Sequence, residues 1–349
     1  MSENNPTGLT TRRSFLQYLA MLAVGGKTLA RSRDARAAAD AAVNAVDPPS
    51  GWPAIPRRTL GRTGFEASRL VFGCGAALSR HPNEPLLNAA FEAGINVFDV
   101  GSSTFYADAE RNLAPFLKKH RDEIFLISKA MVGLNVEPSD DVSVAQTRQA
   151  AATWSERLDE SLRQLQVERV DAYYVMASNH PTIIGSEEIH AAFEKAKQAG
   201  KVTHLGLSTH QNAEKVLETA MDRGWYSLAM TAITPGGWYS WADKGLLDDG
   251  KAMTDLEPFL ARVRASGIGL VGMKAGRYLA GRKYFGWSDP DAFDEYYGEK
   301  AMAEKLSAWQ RSYAYVLAHG MDIVNADMQS MAHLKENVVA VANSDRVFA

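Results

Sequence analysis

A chain of 349 residues, 46% hydrophobic and 23% charged, has ordinary globular composition and is long enough for one large domain or two average ones. Its net charge of -3 argues against nucleic acid or an anionic membrane as the main partner. The single cysteine, Cys74, excludes an internal disulfide, a CxxC pair and an iron–sulfur cluster, and is expected to fill core space as a small hydrophobe. No HExxH, Ser-His-Asp spacing or P-loop is present, which argues against metal-dependent hydrolysis, triad chemistry and NTP binding.

Residues 1–47 differ from the rest. "TTRRSFLQYLAMLAVGG" carries Arg12 and Arg13, then Phe15 and Leu16, then an apolar run too short and too broken to span a membrane. "ARAAADAA" follows, with small residues that suit signal peptidase after Ala37. The segment resembles a twin-arginine export signal, with Gln17 where that pattern has Lys. That resemblance implies passage through the Tat translocase as a folded protein and a periplasmic or otherwise exported location.

From residue 48 to 349 the chain reads as one domain. "RTLGRTGFEAS" predicts a hairpin turned at "RTG", leading into a strand near 70–74. Seven more apolar runs follow: "INVFDV", "IFLISK", "VDAYYVM", "VTHLGLS", "SLAMTAI", "IGLVGMK" and "DIVNA". Amphipathic stretches separate them, and Gly94, Gly200, Gly224, Gly267 and Gly320 stand where left-handed helix caps belong. Strands apolar along their whole length are covered on both faces. Eight β/α units predict a (β/α)8 TIM barrel with an N-terminal hairpin, its active site at the C-terminal strand ends. The competing open sheet lacks a GxGxxG after its first strand.

This topology aims particular residues at the mouth. Asp99 ends the second barrel strand, Lys129 the third, Met176 the fourth, Ser208 the fifth and Lys274 the seventh. An ionised Asp beside a Lys lowers a nearby phenol's pKa or positions a proton donor. His190, His204 and His319 fall within helix or strand patterns and are expected to be structural.

"RTLGRTGFEASRLVFGCG", "AGINVFDV", "IFLISKA", "GKVTHLGLSTH", "GIGLVGMK" and "HLKENVVAV" occur in an order and spacing that resembles the aldo/keto reductase family, from about residue 57 to 342. The resemblance implies a nicotinamide cofactor, NAD or NADP, laid over the mouth, and hydride transfer to a carbonyl. It implies a tyrosine proton donor surrounded by Asp, Lys and His, and no metal. Carried over by position, Asp99 and Lys129 match. The family's Tyr position falls on Thr104, with Tyr106 two residues on; Tyr106 either reaches inward or packs on the rim, and Thr104 acting through water is the other donor. The strand-four histidine position holds Met176, which cannot donate a hydrogen bond, and His180 lies four residues later.

The expected cofactor contacts are Ser208, Lys274, Glu336 and Asn337, with Thr209 where the family has Asn. The 2′-phosphate positions hold Asp327, Met328 and His333, which disfavours NADP. Two loops are rich in aromatics: Trp238, Tyr239 and Trp241 in one, Tyr278, Tyr284, Phe285, Trp287, Tyr296 and Tyr297 in the other. They either form a surface for a sugar-like or aromatic ligand or pack on one another as a lid. Three functions stay open: a carbonyl reductase or alcohol dehydrogenase with an altered site; a sugar-acting isomerase or lyase with Lys129 as base; and a ligand-binding barrel without nicotinamide chemistry.

Overall fold

The computed structural model describes residues 51–134, 136, 140–240, 242–247, 250–280 and 289–348. The export-signal segment and the loop residues Trp241, Tyr284, Phe285 and Trp287 lie outside the described residues.

The strands are β1 (Arg57–Thr59), β2 (Glu66–Ser68), β3 (Leu70–Gly73), β4 (Val97–Asp99), β5 (Phe125–Ala130), β6 (Val170–Val175), β7 (Val202–Thr209), β8 (Leu228–Thr234), β9 (Gly237–Ser240), β10 (Gly245–Leu246), β11 (Gly269–Met273) and β12 (Ile323–Asp327). The helices are α1 (Cys74–Leu78), α2 (Glu84–Glu92), α3 (Ser103–Tyr106), α4 (Ala109–His120), α5 (Val144–Leu165), α6 (Pro181–Ile184), α7 (Glu187–Gln198), α8 (Ala213–Arg223), α9 (Met253–Ala265), α10 (Glu299–Ala303), α11 (Ala308–Ala318) and α12 (Met331–Phe348).

Parallel pairing runs β3–β4–β5–β6–β7–β8–β11–β12 and returns to β3, so the sheet closes into an eight-stranded barrel as the alternation of strands and helices predicts. Closure leaves no edge strand in that sheet. The only antiparallel additions among the described residues are the β1–β2 hairpin and the short β9 and β10 beyond β8.

Period-two alternation sorts the strand residues into two cores. Phe125 and Ile127 on β5, Ala172 and Tyr174 on β6, and Leu228 and Met230 on β8 fill the barrel. Their neighbours Leu126, Tyr173 and Ala229 face the helices. The hairpin plugs the N-terminal end: Leu60 joins the interior cluster, and the Phe65 ring lies 5.1 Å from that of Phe125. Gly61 has φ 51°, and a Cβ there would overlap the Gly269 amide at the start of β11, so the turn requires glycine. The five predicted cap glycines all take positive φ, between 68° and 134°. Boundaries shift modestly: α5 starts at Val144 through a capping box of Ser143 and Gln146, and α12 continues to Phe348.

Candidate active site

The C-terminal ends of β4 and β5 bring together the two residues that alternation aims inward. Asp99 and Lys129 are each 3% exposed, and the Lys129 ammonium donates to Asp99 Oδ2. It also donates to the Val100 carbonyl at 2.7 Å. Burial pushes the Asp99 carboxyl above its ordinary range; Lys129 pulls it back, then the Asn325 amide, while Asp327 pushes it further up. The result is a desolvated ion pair at the floor of the mouth, a motif that is costly unless both partners stay.

The Tyr106 ring is half-buried and packs close to the end of β5. Loop 100–106 is tied to β5 through the Ser102 amide on the Lys129 carbonyl at 2.9 Å. α3 then turns the ring into a slot between Gly75 and Gly101, where a Cβ on either glycine would overlap it. Lys129 Nζ lies 5.2 Å from the ring centroid. Thr104 points outward, is exposed, and shares a 2.9 Å hydrogen bond with Ser102. The expectation that the pair lowers a phenol's pKa is corrected: burial raises Tyr106 well above its ordinary value, and Asp99 and Asp327 add to the rise. The hydroxyl therefore stays protonated at neutral pH.

On the next strand the position matched to a histidine is apolar. Met176 is 4% exposed and lines a cavity of about 30 Å³ beside Met131, Val132 and Ile183. His180 does not take its place. Its Nδ1 accepts the Thr182 amide at 3.1 Å, and its Nε2 bonds the Asp140 carbonyl at 2.7 Å. Nδ1 thus caps α6 while Nε2 holds the Asp140 carbonyl, so neither ring nitrogen is left for the mouth.

The expected cofactor contacts are spread over the opposite side. Ser208 is 2% exposed and its Oγ accepts the Ala177 amide at 3.0 Å, which leaves its hydroxyl hydrogen to donate. Lys274 sits just past β11 in a left-handed conformation, φ 69°. Burial lowers its ammonium pKa, Asp327 opposes this, and Arg277 and Lys129 lower it further. The Glu336 carboxylate accepts the Ser307 hydroxyl at 2.6 Å, and Asn337 is buried in α12. Asp327 is exposed at the end of β12, Met328 is fully buried, and His333 is exposed.

The described loop aromatics pack rather than line an open surface. Trp238 and Tyr239 are 5% and 2% exposed; Tyr278 lies against Phe293 at 5.6 Å and Tyr297 against Tyr315 at 5.4 Å. Among the described residues no group of three or more His, Cys, Asp or Glu is placed to hold a metal ion.

A sequence profile described as the aldo/keto reductase family matches residues 70–248, just over half of the chain. The chain belongs to the aldo/keto reductase family. An aldo-keto reductase of Gibberella moniliformis is 29% identical over 147 residues, 42% of each chain. Versiconal hemiacetal acetate reductase of Aspergillus parasiticus is 23% identical over 189 residues, 48% of this chain and 55% of that protein. The aldo-keto reductase yakc [NADP(+)] of Schizosaccharomyces pombe is 27% identical over 162 residues, 44% of this chain and 45% of that one. The chain thus spans about half the length of the curated relatives it matches. Among solved structures, an aldo-keto reductase from Pseudomonas aeruginosa superposes with a TM-score of 0.55 at 20% identity, over 82% of this chain and 95% of that one. The holo form of one from Bacillus halodurans gives 0.56 at 20%, over 84% and 95%. At such identity these structures establish the fold.

In this aldo/keto reductase barrel three mouth residues escaped the sequence reading. Asn325 Nδ2 donates to Asp99 Oδ2 at 2.7 Å. The signal for it was present: alternation places Ile323, Asn325 and Asp327 on one face of β12, so a polar side chain enters a buried layer. Tyr174 lies inward on β6 with its hydroxyl buried and unpartnered among the described residues. His210, just past β7, is pushed down to about 3 by burial, then by Lys274, Lys244 and Lys129. No local pattern marks it, because its neighbours come from three other loops and strands.

Proposed function

We propose that this chain is a nicotinamide-dependent carbonyl reductase or alcohol dehydrogenase whose proton chemistry is carried by Tyr106, Lys129 and Asp99, without the strand-four histidine. The observation that carries the reading is Tyr106 itself. Although off the family's register by two positions, its ring is slotted between Gly75 and Gly101 with Lys129 Nζ 5.2 Å from its centroid. A protonated phenol beside a lysine that is itself ion-paired to Asp99 suits donation to a developing alkoxide. Asp99 holds the ammonium in place, and burial of the pair keeps water from levelling its field. Met176 supplies no donor, so carbonyl polarisation rests on Tyr106 and Lys129 alone.

A bound nicotinamide nucleotide supplies the hydride. The residues present suit it in part. Ser208 has a hydroxyl hydrogen to offer a carboxamide, and Lys274 is a cation at the mouth suited to phosphates. The 2′-phosphate side fits poorly: Asp327 presents a carboxylate and Met328 is buried. NADP selectivity is therefore expected to be absent, with NADPH disfavoured by about tenfold after solvent screening. Glu336, already held by Ser307, has less to give an adenine.

Isothermal titration with NADH and NADPH, followed by oxidation at 340 nm with 4-nitrobenzaldehyde, tests the reading. Measurable binding of both nucleotides and turnover that falls about 10²–10⁴-fold in Tyr106→Phe support it. Absence of binding by either would leave the sugar-acting or ligand-binding barrel. Strong preference for NADPH would show that Asp327 does not face the nucleotide. Residues 1–47 are read as a twin-arginine signal on Arg12 and Arg13; replacing both by Lys should leave precursor in the cytoplasm, and unchanged export would refute it.

A further inference from the structure

The bonds to Asp99 converge on one oxygen. Oδ2 accepts both the Lys129 ammonium and the Asn325 amide, while Oδ1 is buried with no partner among the described residues. Asn325 reaches it from two strands away, since β3 lies between β12 and β4. In register, Gly73 of β3 faces Asp99 on one side and Asp327 on the other. A Cβ at residue 73 would fall 2.6 Å from Asn325 Oδ1. It would also fall 2.8 Å from the Ala326 carbonyl oxygen, so glycine there makes room both for the amide and for the backbone of β12. Met230 Sδ, 3.7 Å from Nδ2, supports the amide from the layer below.

We propose that Asn325 is a positioning residue for the Asp99–Lys129 pair, and that Gly73 leaves room for its amide beside the backbone of β12. The amide fixes which carboxylate oxygen meets the ammonium, and so holds Lys129 Nζ at the face of Tyr106. It also donates to the ionised form of a carboxyl that burial favours as the neutral acid. The charged and titratable groups around Asp99 are Lys129, Asp327, Cys74, Tyr106, Tyr174 and Lys274. Lys129 and Lys274 favour the carboxylate and Asp327 opposes it. Asn325 is the one neutral donor recorded on it among the described residues.

This inference deepens the reading of Asp99, Lys129 and Tyr106 as the reactive site and rests on it. The test titrates Asp99 in the whole protein labelled with 13Cγ-aspartate, with the resonance assigned by its loss in Asp99→Asn. Asn325→Leu keeps the γ-branched shape and removes the donor; the Asp99 midpoint should rise by about one to two pH units. Gly73→Ala should shift it the same way while Asn325 is still present, and Asn325→Ser covers the case in which leucine disturbs the fold. The acid limb of the turnover profile should move by the same amount, a change that a merely structural residue does not cause. Midpoints within about 0.3 unit of the parent in both Asn325→Leu and Gly73→Ala would overturn the proposal. The titration is read without nucleotide, so a chain that bound none would sink the reductase reading and leave this measurement standing.

Discussion

Ser128 and Lys129 are consecutive on β5, and each holds a buried carboxylate on its own side of the strand. Outward, the Ser128 hydroxyl donates at 2.7 Å to Glu110 of α4, which is 1% exposed. Inward, Lys129 binds Asp99, which is 3% exposed. Burial raises both carboxyls. Glu110 is offset mainly by the hydroxyls of Ser128 and Ser161, whereas Asp99 has a full cation and an amide. Burial alone thus makes Glu110 a helix anchor that favours the neutral acid. A partner charge at a strand end that opens to the mouth makes Asp99 half of a buried ion pair.

The largest way to break that contrast is Lys129→Met, which strands the Asp99 charge. Unfolding by urea should show a loss of about 3–5 kcal/mol, with turnover down about 10²–10⁴-fold. Adding Asp99→Asn should recover most of the stability and none of the turnover. A loss below about 1 kcal/mol for the single change would mean that the pair is solvated.

His210 extends the comparison to a half-buried base among cations. Its folded pKa, about 3, lies below the ordinary 6.5, so the unfolded chain binds the extra proton. The stability from keeping it neutral is present above pH 6.5 and is lost as pH falls toward 3, at up to about 1.4 kcal/mol per pH unit. His210→Asn should flatten the acid limb of a stability–pH curve across that window. An unchanged limb would place the acid sensitivity elsewhere. Asp99 acts in the opposite sense: its raised pKa makes its contribution fall as pH climbs from the unfolded carboxyl value through the folded one.

Met176→His restores a donor at the end of β6. Turnover with an aldehyde should rise about tenfold, less than the 10²–10³ seen when a preorganised donor is removed, because the local packing was shaped for Met. The smallest effect is expected on the outer face of β5. Glu110→Gln keeps an acceptor for Ser128 and should cost about 1 kcal/mol or less in thermal unfolding, without altering turnover. A cost comparable to that of Lys129→Met would erase the distinction between the two faces.

Much of this molecule was legible in its sequence because the signals are local. Short runs apolar along their whole length marked all eight barrel strands, and glycines after amphipathic stretches marked five helix ends. The order of those runs placed Asp99 and Lys129 at neighbouring strand ends. Other features needed the closed barrel. The Asn325–Asp99 bond joins residues 226 apart in sequence and exists only because β12 returns beside β3. Tyr106 was off register in the chain, yet Gly75 of α1 and Gly101 of the loop after β4 receive its ring. His180 was available on paper to replace the missing histidine, but the carbonyl of Asp140 and the start of α6 claim both its nitrogens. Period and caps act within a few residues and can be read along the chain. Which polar group meets which depends on side chains brought together by closure, where desolvation makes each unmet partner costly and so selects a few specific pairs.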